Sequence, residues 1–358
     1  MTSVNAMRIN NDTGILLCDE ASYWNEEWMI LYTPDKIQGV VGYDLIEQYR
    51  LALFIGMSGS SMMGERVMDG LTNRITKLYE QAVSRLGHPP KQFVTLEKLA
   101  WEAYNVASEV KAEYIDDFLI SHFGFKTADL VAGHYKKDGK TIAIDDEDIQ
   151  NEALKFVTFK GQPAEVGYIY KNTLFIAGYS PADGFKMYFL STTTPVCEEV
   201  SEIYVTGGSG TDTTDLVYSD FAAQNQLRER REGLDLIDAT IAAFSGLGTA
   251  FRLTAGVAPY PNFIYIDGQS EQLVQKTFDH RSQFISEVVI AGNNDLIPRA
   301  TVRELVDKVL FKDLSFHEAN QIFMARARNK RDLELFLRGY YLDRPTPPHT
   351  APMLSSLK

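Results

Sequence analysis

The chain has 358 residues, 45% of them hydrophobic and 11% aromatic, a composition that suits a globular protein with a sizeable core and excludes a disordered one. Its 48 acidic residues outnumber 35 basic ones; the net charge of -13 repels phosphate backbones, so nucleic acid is not expected as a partner. No Lys/Arg-led apolar segment opens the sequence and no 18-residue apolar run stands out, so neither a signal peptide nor a membrane span is expected and the predicted location is cytoplasmic.

Ser3 to Ile9 and Ile15 to Cys18 flank an Asn-Asn-Asp-Thr-Gly turn and predict a hairpin. After Trp28 to Ile37 comes the apolar run Leu51 to Ser61, LALFIGMSGSS, a strand that leads through a tight turn into a helix. Met63, Val67, Leu71, Ile75, Leu78, Ala82 and Leu86 recur at helical spacing, and Gly87, Pro89 and Pro90 stop that helix. A second amphipathic helix is predicted over Thr95 to His122, with Leu99, Ala103, Val106, Val110, Tyr114 and Leu119 on one face. Leu130 to Ile144 and Phe175 to Leu190 each predict strand, Asp-Gly turn, strand. Between them, DDEDIQNEAL is a solvated turn and helix start; it lacks the closing Glu of a calcium loop.

Glu202 to Gln224 is again strand, glycine-rich turn, helix. Gly233 to Phe251 predicts a helix with a small-residue face, and Asn262 to Ile266 a strand. Helical patterns follow over Thr301 to Leu310, Ser315 to Arg328 and Arg331 to Tyr340, then a proline-rich tail that should be largely unpacked. The order predicts an α+β fold: a layered core over residues 1–270 with an insertion near 90–165, and a helical extension over 271–358. The extension's amphipathic pattern implies a face that must pack on something, such as a neighbour in a ring or a chamber entrance.

Several familiar site patterns are missing. The six histidines are scattered, FHEAN lacks the second histidine of a zinc-protease helix, and neither Cys18 nor Cys197 has a CxxC partner. No metal and no cofactor is therefore expected, and the two cysteines are expected as thiols. GGSGTD, at Gly207 to Asp212, lacks the Lys-Ser/Thr of a P-loop and the spacing of a dinucleotide fingerprint.

The first strand carries a stronger candidate. Methionine aminopeptidases remove Met1 when a small residue follows, and Thr2 is small. Residue 2 would then hold a hydroxyl and a free α-amine. An α-amine, with an ordinary pKa of about 7.7–8.0, can act as general base for its own neighbouring hydroxyl. Such a site needs a cation to keep the amine neutral and an acid to hold that cation. Asp19 lies 17 residues after Thr2 and Lys36 another 17 after Asp19, both at ends of predicted strands.

With these residues in this order, the chain resembles the proteasome-type N-terminal nucleophile (Ntn) hydrolases, the group of proteasome β subunits, HslV and the bacterial Anbu proteins. GILLCDEAS is similar to the segment that delivers the family's aspartate, here Asp19, and PDKI to its lysine segment, here Lys36. FIGMSGSSM resembles the strand-to-helix turn whose backbone N–H forms the oxyanion hole, which falls on Gly59 with Met57 and Ser61 facing the substrate. LFIAGYSPADGFKMYFL is similar to the central hairpin, and YVTGGSGTD to the turn whose first serine, here Ser209, hydrogen-bonds the nucleophile. The likeness extends to about Ile266, apart from the insertion.

The resemblance implies a four-layer αββα sandwich and peptide-bond hydrolysis through an acyl-enzyme on Thr2. It further implies homo-oligomeric rings that enclose peptide or unfolded protein, with an unfoldase as a further possible partner. Lys36 would depress the amine pKa, Asp19 would orient Lys36, and Gly59 N–H would stabilise the oxyanion. Both 17-residue intervals are one longer than in the family, so Glu20 competes with Asp19. The family's late aspartate has no counterpart in FRLTAGVAPYPNFIYI, where Thr254 and Arg252 stand nearby. Met57, Met62 and Met63 are expected as core or pocket wall. Two other functions share these features: a transpeptidase or protein ligase that passes the acyl group to an amine, and a non-catalytic scaffold like proteasome α subunits.

Overall fold

The computed structural model describes residues 3–24, 29–32, 36–158, 172–254, 257, 261–278 and 280–338. It begins with the predicted hairpin, β1 (Ser3–Arg8) and β2 (Thr13–Asp19). A short pair, β3 (Ala21–Trp24) and β4 (Met29–Tyr32), precedes β5 (Ile37–Gly39), α1 (Tyr43–Tyr49) and β6 (Ala52–Ser58). Two long helices follow, α2 (Ser61–Leu86) and α3 (Leu96–Phe123). Ser60 and Thr95 accept backbone N–H bonds at their starts, and Gly87 and Gly124 close them in left-handed conformation, so both ends are set by local capping chemistry.

A small unit comes next: α4 (Thr127–Ala132), β7 (His134–Lys137), β8 (Lys140–Ala143) and α5 (Glu147–Val157). The predicted Asp138-Gly139 hairpin is present, but Leu130 to Ala132, read as strand from the sequence, belong to α4. The central hairpin is β9 (Thr173–Ser180) and β10 (Gly184–Ser191), followed by β11 (Val196–Glu199). β12 (Tyr204–Gly208) leads into α6 (Thr211–Glu232) and α7 (Leu236–Leu253), then β13 (Pro261–Asp267) and β14 (Val274–Phe278). The last described elements are α8 (His280–Asn293), α9 (Arg299–Val306) with a π-helical turn at Asp307–Phe311, α10 (Phe316–Ala325) and α11 (Lys330–Leu337).

The fold is mixed α+β. Among the described residues, ten strands form two five-stranded antiparallel sheets, ordered β12-β1-β2-β13-β14 and β11-β10-β9-β6-β5. Alternate side chains of each sheet enter different cores. In β2, Ile15 and Leu17 join Phe244 and Leu247 of α7, whereas Leu16 and Cys18 meet Phe54, Phe175, Phe185 and Met187 of the other sheet. In β6, Leu53, Ile55 and Met57 pack with α2 and α3 while Ala52 and Phe54 face the first sheet. Because both faces are covered, β2 and β6 are nearly continuous apolar runs.

Packing assigns the helices to separate cores. The first part of α3, through Leu99, Ala103 and Val106, shares a core with α2, so it belongs with the layer on the second sheet. A separate small core of Ile115, Leu119, Phe125, Ile144, Ala153 and Phe156 begins only at its C-terminal half. In the C-terminal region Leu305, Val309, Phe323 and Phe336 are buried in the same cluster as β1, β2 and α7. The apolar face expected there is buried within the chain at these residues. The proline-rich tail lies outside the described residues. α7 is apolar and long enough to cross a membrane by composition, and 61% of it is buried inside this fold.

One partly buried acid should give the fold a pH dependence. Oε2 of Glu287, on α8, has no solvent contact and no hydrogen-bond partner, and burial raises the carboxyl to about 8. Above the ordinary carboxylate range the unfolded chain releases this proton while the folded chain keeps it. Stability should therefore fall with rising pH, by about 1.4 kcal/mol per unit from this group, until the pH passes about 8. Urea denaturation at pH 5.5 and 8 should show a shallower loss for Glu287→Gln than for the wild type; parallel losses would discount the effect.

Candidate active site

β1 and β2 pair antiparallel with Val4 opposite Cys18, so the start of the chain and the end of β2 meet. There the side chain of Asp19, with no exposed surface, turns one oxygen toward two donors: Oδ1 accepts the Ser3 backbone N–H at 2.6 Å and lies 2.8 Å from Lys36 Nζ. The Lys36 side chain is 8% exposed, and its backbone carbonyl accepts the Met57 N–H at 3.0 Å, which ties it to the far end of β6. A carboxylate and an ammonium removed from water this far are tolerable only when paired and hydrogen-bonded. Of the two adjacent acids, Asp19 makes this ion pair with Lys36.

Thr2 lies outside the described residues. The Ser3 nitrogen, however, is the atom through which residue 2 joins β1, and it shares its acceptor oxygen with Lys36 Nζ.

Ser3 stands opposite Gly208, whose φ of +99° starts the turn of Gly208, Ser209 and Gly210. Gly210 packs onto the start of β1 so closely that a Cβ there would lie 3.1 Å from Ser3 Cβ and 3.2 Å from Ala250 Cβ. Ser209 is exposed on this turn, one residue from that contact. Thr254, just after α7, has its hydroxyl 3.4 Å from that of Thr213 in the first turn of α6; Arg252 sits in the last turn of α7.

The second turn follows β6. Gly59 has φ +132°, a conformation costly for any residue with a Cβ, and Ser60 then caps α2 through Oγ, which accepts the Met63 N–H at 3.3 Å. Met57 is buried under α2, close enough to Gly64 that a Cβ there would meet its methyl. It can floor a pocket but does not stand on an open wall. Ser61 opens α2, and its side chain lies outside the described part. Met63 is fully buried while Met62 is 58% exposed.

All these positions occupy one end of the two sheets: the starts of β1, β5 and β9 and the ends of β2, β6 and β12. The sheets touch there, where a Cβ on Gly207 would be 3.6 Å from Thr173 Cγ2. The buried acid–ammonium pair and the two glycine turns place a fixed charge and main-chain N–H groups at that end, a set that could stabilise charge developing during acyl transfer. Cys18, next to Asp19, is not a rival nucleophile, because burial pushes its thiol pKa up and disfavours the thiolate. Cys18 and Cys197 are both free. Asn172, immediately before β9, carries no local signal in the sequence; only the pairing of β9 with β6 brings it to the second turn.

Comparison with protein-family models and with curated proteins gave no match.

Proposed function

We propose that this chain is an N-terminal nucleophile hydrolase built as a four-layer αββα sandwich. Within that class it is read as a proteasome-type threonine peptidase that cleaves peptide bonds of peptides or unfolded protein, in the cytoplasm and within a homo-oligomeric ring. The observation that carries the reading is the single Asp19 oxygen shared by the Ser3 N–H and the Lys36 ammonium. An ammonium held this close to the residue 2–3 peptide would keep a freed Thr2 amine neutral and ready to take a proton. Thr2 Oγ would attack the scissile carbonyl as its hydrogen passes to the amine, and the Gly59 N–H would face the developing oxyanion. The protonated amine then gives its proton to the departing amine of the substrate, leaving an ester on Thr2 that water hydrolyses. Apolar side chains exposed on the helices, among them Met62, Trp101, Leu216 and Leu253, offer surface for assembly.

The test is incubation with a peptide epoxyketone, which closes a ring only with a hydroxyl and a free amine on one residue. Mass spectrometry should find the adduct on Thr2 with Met1 gone. Retention of Met1 throughout a pure preparation, with no adduct, would leave the scaffold reading instead.

A further inference from the structure

Asn172 is 3% exposed and immediately precedes β9, whose Thr173 pairs with Ser58 at the end of β6. Its side chain clamps the turn around Gly59. Oδ1 accepts the Ser60 N–H at 2.8 Å, and Nδ2 points to Met63 Sδ at 3.1 Å, in the first turn of α2. The amide orientation follows from its partners: a backbone N–H needs an acceptor and a thioether offers only one. Gly59 at φ +132° has unusual freedom to rotate its flanking peptide planes. Strand pairing of Ser58 with Thr173 restrains the plane before it, and Asn172 restrains the plane after it through Ser60. The direction of the Gly59 N–H is set between these two anchors, carried by the first residue of β9 and the residue before it.

We infer that Asn172 is a positioning residue that aims the Gly59 N–H at the oxyanion; this rests on the hydrolase reading above. In this role Asn172 acts through the Ser60 N–H. It removes the need to order a glycine turn at the moment charge develops. Loss of one oxyanion donor in such sites costs about 100- to 1,000-fold in kcat, and a donor that is misaimed rather than removed should cost roughly 10- to 100-fold.

The experiment compares wild type with Asn172→Ala, Asn172→Leu and Asn172→Asp on a fluorogenic peptide, and measures inhibition by a peptide aldehyde. In the aldehyde adduct the Thr2 Oγ bonds the carbonyl carbon, the C=O electrons move onto oxygen, and the hydroxyl proton passes to the α-amine. That oxyanion tests the Gly59 N–H directly. The expected result is a kcat roughly 10- to 100-fold lower in Ala and Leu, KM within about threefold, and aldehyde affinity lost by the same factor as kcat. Asp keeps the acceptor for Ser60 and should restore most of kcat. Leu refills the volume, so it serves if Ala does not fold. Folded Ala or Leu protein with kcat within twofold of wild type overturns the inference, as does a loss carried by KM or one the aldehyde does not share. Wild-type protein that forms no epoxyketone adduct on Thr2 overturns the hydrolase reading and this inference with it, so the two failures are told apart in the wild type.

Discussion

Lys36→Ala is expected to reduce peptide turnover by at least about 100-fold and to destabilise the protein by about 3–5 kcal/mol. The two losses have separate origins. The stability loss follows from geometry: Asp19 has no exposed surface, and the substitution removes the ammonium 2.8 Å from its Oδ1. The activity loss follows from the proposed mechanism, since without that cation the Thr2 amine would hold its proton at working pH. An Asp19→Asn, Lys36→Met double variant removes both charges and keeps an amide oxygen for the Ser3 N–H. It should recover much of the stability and none of the turnover. Turnover by Lys36→Ala near the wild-type rate would end the catalytic reading; unchanged stability would contradict the buried pair.

Phe263→Ala is expected to cost about 3–5 kcal/mol, read as a lower urea midpoint with an unchanged slope. Phe263, in β13, is fully buried, with ring centroids 5.5 Å from Phe244 of α7, 5.7 Å from Phe278 of β14 and 6.5 Å from Phe311 in the π-helical turn. It joins the first sheet to both the helices over it and the C-terminal region. A cavity there loses dispersion contacts on three sides, and Gly248, close against Ile290, shows how tightly α7 and α8 are already packed. The contrasting substitution Leu216→Ala, at a side chain 74% exposed, should change stability by less than about 0.5 kcal/mol. A Phe263→Ala loss under about 1 kcal/mol would mean that the C-terminal helices hold together independently of the sheet.

Much of the architecture is legible in local pattern. The opening hairpin, α2 and α3 with their caps, and the β9–β10 hairpin all carry their own periodicity and punctuation. α8 does not. Phe284, Ile285, Ser286, Val288, Val289, Ile290 and Ala291 are all buried, so the helix is covered on most sides and has no polar face to mark its period. The C-terminal helices show their amphipathic faces plainly, but the sequence does not say what those faces meet.

The candidate site divides in the same way. By itself, the sequence determined which residues could take part: a small second residue, acids and a lysine at strand ends, and glycines where the backbone must turn sharply. Only the tertiary structure paired Asp19 with Lys36, buried that pair against the Ser3 N–H, and brought Asn172 to the Gly59 turn. Neighbouring residues on a strand point to opposite faces, so that pairing depends on the register with β1 and β13. Register is a contact between segments far apart in the chain, and no local periodicity encodes it.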